Sequence, residues 1–188
     1  MQLTTLLVPT YTQMLKTLAG WLKKAQAQLP ETEAQALLSA RLAPDMYPLS
    51  TQVRFACVQA REAMCRLRGE GFPPAINELL NEGRHAVKSP GSLAEAYARI
   101  NETVALLDGL AADALDVDGD KPIAHELPNG MVLDLTADQY ARDWTLGQFY
   151  FHVMTAYSIL RKEGINLGKA DYVAHLLPNV RPETIPKG

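Results

Sequence analysis

The chain of 188 residues has two cysteines, no basic cluster and no long apolar run. Each scarcity removes a class of protein. Cys57 and Cys65 stand so that, on one helix, their Cα atoms fall roughly 12 Å apart at 1.5 Å rise per residue. A disulfide needs Cα atoms within about 7 Å, so the pair reads as reduced thiols filling a core, with no CxxC redox or zinc motif. No apolar stretch is long enough to cross a bilayer, and no membrane partner is expected. The start, "MQLTTLLVPTYTQM", lacks the basic region and cleavage site of a signal peptide, so the expected location is cytoplasmic. Lys and Arg number 18 against 21 Asp and Glu and are scattered along the chain, which argues against a nucleic-acid partner. A Gly-rich phosphate loop, a GxSxG elbow and an HExxH motif are all missing.

What is present is helical periodicity. Leu7, Tyr11, Met14, Leu18, Leu22, Ala25 and Leu29 repeat in steps of four and three, an apolar stripe that starts near Pro9 and stops at Pro30. A second stripe runs Leu49, Val53, Ala56, Ala60, Ala63 and Leu67, with Pro48 before it and Gly69 and Gly71 after it. In "PGSLAE", Ser92 and Glu95 form a capping box ahead of Leu93, Tyr97, Ile100, Val104, Leu107 and Ala111. The fourth stripe is Leu146, Phe149, Val153, Ala156 and Leu160, closed by Gly164. Short helical pieces are expected between Thr32 and Ala40 and, as a single turn, within "FPPAINELLNEGRHAVKSPG". Between the third and fourth helices, alternating residues on both sides of Asn129-Gly130 predict a β-hairpin. Such a hairpin is marginal alone and should lie against the bundle. The fold class is therefore all-α: a four-helix bundle with short accessory helices and one small hairpin. Residues 1–178 are expected to form one domain, and "NVRPETIPKG", 179–188, a flexible tail.

Candidate chemistry narrows to the fourth helix. At 100° per residue, His152 falls about 80° from the centre of the apolar stripe, at the edge of the buried face. That position can reach a bundle cavity, and it equally suits a histidine that spends a ring nitrogen on a backbone carbonyl and does nothing else. A bundle metal site wants two ligands at i, i+3 or i, i+4. The corresponding neighbours are Gln148, Thr155 and Ala156, none a good zinc or iron ligand. Partners from the second helix would have to come from Gln52, Cys57, Gln59 and Glu62. His85, His125 and His175 read as exposed or structural. The aromatics Phe149, Tyr150, Phe151 and Tyr157 point several ways round the helix, so a hairpin or a second subunit is expected to cover its outer face, and a homodimer is a reasonable expectation.

Three stretches carry a resemblance: "APDMYPLSTQVRFAC" from Ala43, "QFYFHVMTAYSILR" from Gln148 and "GINLGKADY" from Gly164. They resemble a bacterial family, the domain of unknown function family nineteen-ninety-three, placed with the DinB/YfiT-like four-helix-bundle proteins. The resemblance covers nearly the whole chain. It implies a bundle in which relatives hold a metal with three histidines, one on the second helix and two at i, i+4 on the fourth. Some of those relatives are thiol-dependent transferases or isomerases. Carried over residue by residue, only His152 matches; its i+4 position is Ala156, and Pro48 to Arg68 holds no histidine. The three-histidine site is thus not in this sequence, His152 is the only candidate metal ligand, and no cofactor is specified. Two expectations follow. One is a DinB-like bundle that binds a small molecule or forms a dimeric interaction module. The other is an enzyme with an altered site, metal- or thiol-dependent and transferase-like, in which His152 is the catalytic residue. Tyr47, Gln52, Gln59, Trp144, Gln148 and Tyr157 are the expected pocket-lining residues around it.

Overall fold

The computed structural model describes residues 2–184. Four long helices, α1 (Leu3–Gln28), α3 (Leu49–Arg68), α5 (Leu93–Asp108) and α7 (Leu146–Lys162), close a ring. In it α1 and α3 lie at opposite corners, each packed against both α5 and α7. Short α2 (Glu31–Ala36) follows α1, and α4 (Pro74–His85) lies along the outside of α3. The stripe residues Leu7, Tyr11, Leu18, Leu22, Val53, Ala60, Phe149 and Leu160 are fully buried, so the periodic positions are the core positions.

Three boundaries differ from the sequence expectation. Helix α1 begins at Leu3, six residues before Pro9, because Leu3 and Leu7 are both buried and its first turn is capped from far along the chain. The Thr4 N–H donates to Asp116 Oδ1 at 2.8 Å, and the Thr4 hydroxyl accepts from the Leu115 N–H at 2.8 Å. Helix α4 is three turns rather than one, since Ile76 and Leu79 bury against α3 after the preset turn at Pro73-Pro74. The fourth helix starts at a capping box of Thr136 and Gln139, runs through α6 (Ala137–Gln139) and a π-helical segment Tyr140–Thr145, and only then becomes α7.

The hairpin forms as expected, with β1 (Pro122–Glu126) antiparallel to β2 (Val132–Thr136), Ile123 opposite Leu135 and His125 opposite Leu133. Gly130, at φ +85°, supplies the left-handed turn residue. Ile123 and His125 are its buried positions, and His125 rests against Tyr140 and Trp144 with ring centroids 5.5 and 4.4 Å away. Beyond α7, α8 (Lys169–Tyr172) lies on α1. Of the tail expected over 179–188, Pro182–Thr184 form a 3-10 turn, and residues 185–188 lie outside the described residues.

Candidate functional site

His152 sits where α7 meets α3, the helix pair that shares the bundle's most extensive seam. Its partner is a side chain rather than a backbone carbonyl: Nδ1 lies 2.9 Å from Gln52 Oε1. The Gln52 amide is oriented by its other end, because Nε2 donates to the Tyr47 carbonyl at 3.1 Å. With Oε1 facing the ring, Nδ1 carries the proton and Nε2 keeps the lone pair. Burial pushes the imidazole pKa down to about 4, so His152 is uncharged near neutrality. Phe55 and Phe151 meet the ring edge-on at 5.3 and 5.4 Å, and Tyr47 meets Phe55 at 5.5 Å. Gly83 of α4 lets this row form, since a Cβ there would come 2.5 Å from the Phe55 ring.

The residues around His152 do not fit a metal centre. Ala156 has no donor atom, the Thr155 hydroxyl donates to the Phe151 carbonyl at 2.6 Å, and Gln52 is engaged at both ends of its amide. Among the described residues no group of three His, Cys, Asp or Glu side chains is placed to hold an ion. Nor does the seam supply a ready nucleophile. Burial raises the Cys57 thiol to about 11 and also raises Cys65, which keeps both protonated.

The expected pocket-lining set is only partly brought together. Gln52 and Tyr47 contact the His152 neighbourhood, Gln52 by its side chain and Tyr47 by its carbonyl and its edge-on contact with Phe55. Gln148 is half-buried one turn before His152, and Gln59 is half-buried roughly 10 Å further along α3. Tyr157 and Trp144 belong elsewhere. Tyr157 falls about 140° round the helix from His152 and packs on Trp21 at 5.2 Å. Trp144 lies in the π-helical segment, whose wider turn resets the phase of the helix and aims the indole at His125 under the hairpin.

Sequence reasoning missed an open cleft. A cleft of about 620 Å³ lies between α3, α4 and the start of α5, lined by Arg54, Glu78, Glu82, His85, Glu95 and Arg99 among others. Arg54 is 4% exposed, an unusual degree of burial for a charged residue. Its Nη1 donates to the Ser50 carbonyl at 3.3 Å and to the Ser50 hydroxyl, and its Nε lies 3.4 Å from Glu82. Glu82 also receives Arg99, Arg99 continues to Glu102, and Glu102 meets Arg61 at 3.3 Å. Arg54 and Arg61 lie beside the apolar stripe of α3, one residue after Val53 and Ala60, and the packing of α4 and α5 buries both.

A separate set of titratable groups lies under the hairpin. Burial lifts the Glu62 carboxyl to about 7 and lowers the His125 imidazole, and the Arg66 guanidinium stands 4.7 Å from the centre of the Phe72 ring. His175 lines a smaller opening beside Trp21 and Asp171.

The model of the family described as a domain of unknown function (DUF1993) matches residues 3–173. The chain belongs to that family. No curated protein matches this DUF1993 chain. It is similar to the crystal structure of a DinB family member protein from Shewanella denitrificans, at 29% identity and a TM-score of 0.72. The alignment covers 98% of this chain and 96% of that one, so the DinB-like architecture extends over the hairpin and accessory helices as well as the four long helices. No helix among the described residues is long and apolar enough to cross a membrane.

Proposed function

We propose that this DUF1993 protein binds a small polar molecule in the cleft between α3, α4 and α5, and that His152 serves the α3–α7 seam. The observation that carries the reading is the buried guanidinium of Arg54 at the wall of a cavity of about 620 Å³. That volume falls within the range of small-molecule sites, and a few fixed polar groups on rigid helices are what orient a ligand in one. An altered catalytic site around His152 has less support. A base titrating near 4 is poorly matched to proton transfer at neutral pH, and one polar partner, Gln52, faces it. The test is an amide NMR titration of the labelled protein with propionate, ethylammonium, L-alanine and glucose, each at millimolar concentration. Shifts gathered on Arg54, Asn81, His85, Ser89 and Gly91 are expected for at least one probe. Silence at these amides with all four, or shifts centred on His152, overturns the reading.

A second reading rests on the aromatic row. Its outer members Phe151 and Tyr47 are 56% and 44% exposed, and Met154 beside them is 36% exposed. A second copy of the chain across this face accounts for that exposure, since one two-fold axis would cover the row on both copies. Sedimentation of the wild type as a dimer, with Phe151→Glu as a folded monomer, is the expected outcome. A wild type that stays monomeric at high concentration removes it.

A further inference from the structure

The α3–α4–α5 cleft holds one cation and one carboxylate, Arg54 and Glu95, that are each fixed in place and not bonded to one another among the described residues. Arg54, Arg61 and Arg99 share the two carboxylates Glu82 and Glu102, which leaves the network one positive charge in excess. The excess surfaces at Arg54 Nη2, which makes no hydrogen bond among the described residues, while Nη1 and Nε of the same group are engaged. The guanidinium is therefore held rigidly with one donor edge left over. On the other side stands Glu95. Its Oε2 accepts from the Ser92 N–H at 2.6 Å and from the Ser92 hydroxyl at 3.1 Å, so the carboxylate is locked by its capping box and kept ionised.

Gly91 lies between the two. It has φ +73°, and a Cβ there would come 2.9 Å from Arg54 Nη2 and 2.6 Å from Glu95 Oε2. The residue at this point is thus the one that leaves room between a fixed cation and a fixed anion, each within a few ångströms of its α-carbon. A ligand that answers both must carry a negative and a positive group on neighbouring atoms. We propose that the cleft takes a small zwitterion of the α-amino-acid type, its carboxylate on Arg54 Nη2 and its ammonium on Glu95. Charge-assisted hydrogen bonds at both ends of a pre-positioned pair fit such a head group better than either simple ion. Glu78, Asn81, His85 and Ser89 line the remainder of the cleft, where the side chain of the ligand would extend.

The inference rests on the ligand-binding reading above, and its test separates the two. L-Alanine, propionate and ethylammonium are titrated into the wild type and into Glu95→Gln. Glutamine preserves the capping box while removing the charge, so this variant keeps the fold. L-Alanine is expected to bind the wild type at least about ten-fold more tightly than either half-molecule, and about ten-fold more weakly to Glu95→Gln, with propionate bound no more weakly by the variant. Propionate or ethylammonium binding the cleft as well as L-alanine overturns the zwitterion assignment and leaves the ligand-binding reading standing. An L-alanine affinity unchanged in Glu95→Gln also overturns the assignment. Absence of binding by all three overturns the zwitterion assignment, and it overturns the ligand-binding reading as well when glucose also leaves the cleft amides unshifted.

Discussion

Glu62→Gln should steepen the rise of stability with pH by about 3 kcal/mol between pH 4.5 and 7. Two buried groups oppose one another in the wild type. His152 titrates near 4 in the folded protein against 6.5 when unfolded, so the unfolded chain binds the extra proton between those values. Its contribution is complete above pH 6.5 and is lost as pH falls toward 4. Glu62 titrates near 7 when folded against 4.5 when unfolded, so here the folded chain binds the extra proton. Its contribution is complete below pH 4.5 and is lost as pH rises through 7. Each gap corresponds to about 3 kcal/mol, and the slopes cancel across the shared window. Removing the carboxyl leaves the histidine slope uncovered, reinforced by His125, whose imidazole burial also lowers. Urea midpoints at several pH values for wild type and variant decide the matter. Parallel curves for the two proteins would remove Glu62 from the account.

Trp21→Ala is expected to cost about 4 kcal/mol, in the range for truncating a buried aromatic to alanine. Trp21 is 2% exposed and joins three parts of the chain. It meets Tyr157 of α7 edge-on at 5.2 Å, stacks on Tyr172 of α8 at 6.4 Å, and donates from Nε1 to the Asp171 carbonyl at 3.2 Å. The loss should therefore be uneven. Hydrogen exchange should show Lys169–Tyr172 losing protection well before α3 or α5, because the variant loses the indole's ring contact with Tyr172 and its hydrogen bond to Asp171 and keeps the exposed Lys24–Asp171 ion pair. A stability loss with α8 still protected would mean that the segment docks by other contacts.

The four long helices, the hairpin and the reduced cysteines were legible in the sequence because each is written in local pattern. An apolar stripe of period 3.6 has one face to bury, Ser92 with Glu95 marks a start, and Asn129-Gly130 marks a turn. The family was legible as well, since its motifs are contiguous stretches. That His152 alone stands at a position matching the relatives' three-histidine set was read from residue identity.

Tertiary structure decided everything that depends on which faces meet. The start of α1 at Leu3 needs a cap from Asp116, a contact between residues that are remote in sequence. The π-helical turn at Tyr140–Thr145 shifted Trp144 out of the face that a regular helix would give it, and so out of the His152 neighbourhood. His152 lay at the edge of a stripe in sequence, and only the approach of α3 placed Gln52 on its Nδ1. The cleft is the strongest case. Arg54, Glu82, Glu95 and Arg99 come from three helices, and their charges read singly as ordinary solvated positions. Close packing of α4 on α3 at Gly83, and the left-handed turn at Gly91, bring them together. The sequence determined the helices and their buried faces, since these follow from local periodicity. The three-dimensional approach of those faces determined where opposite charges stand side by side with room between them.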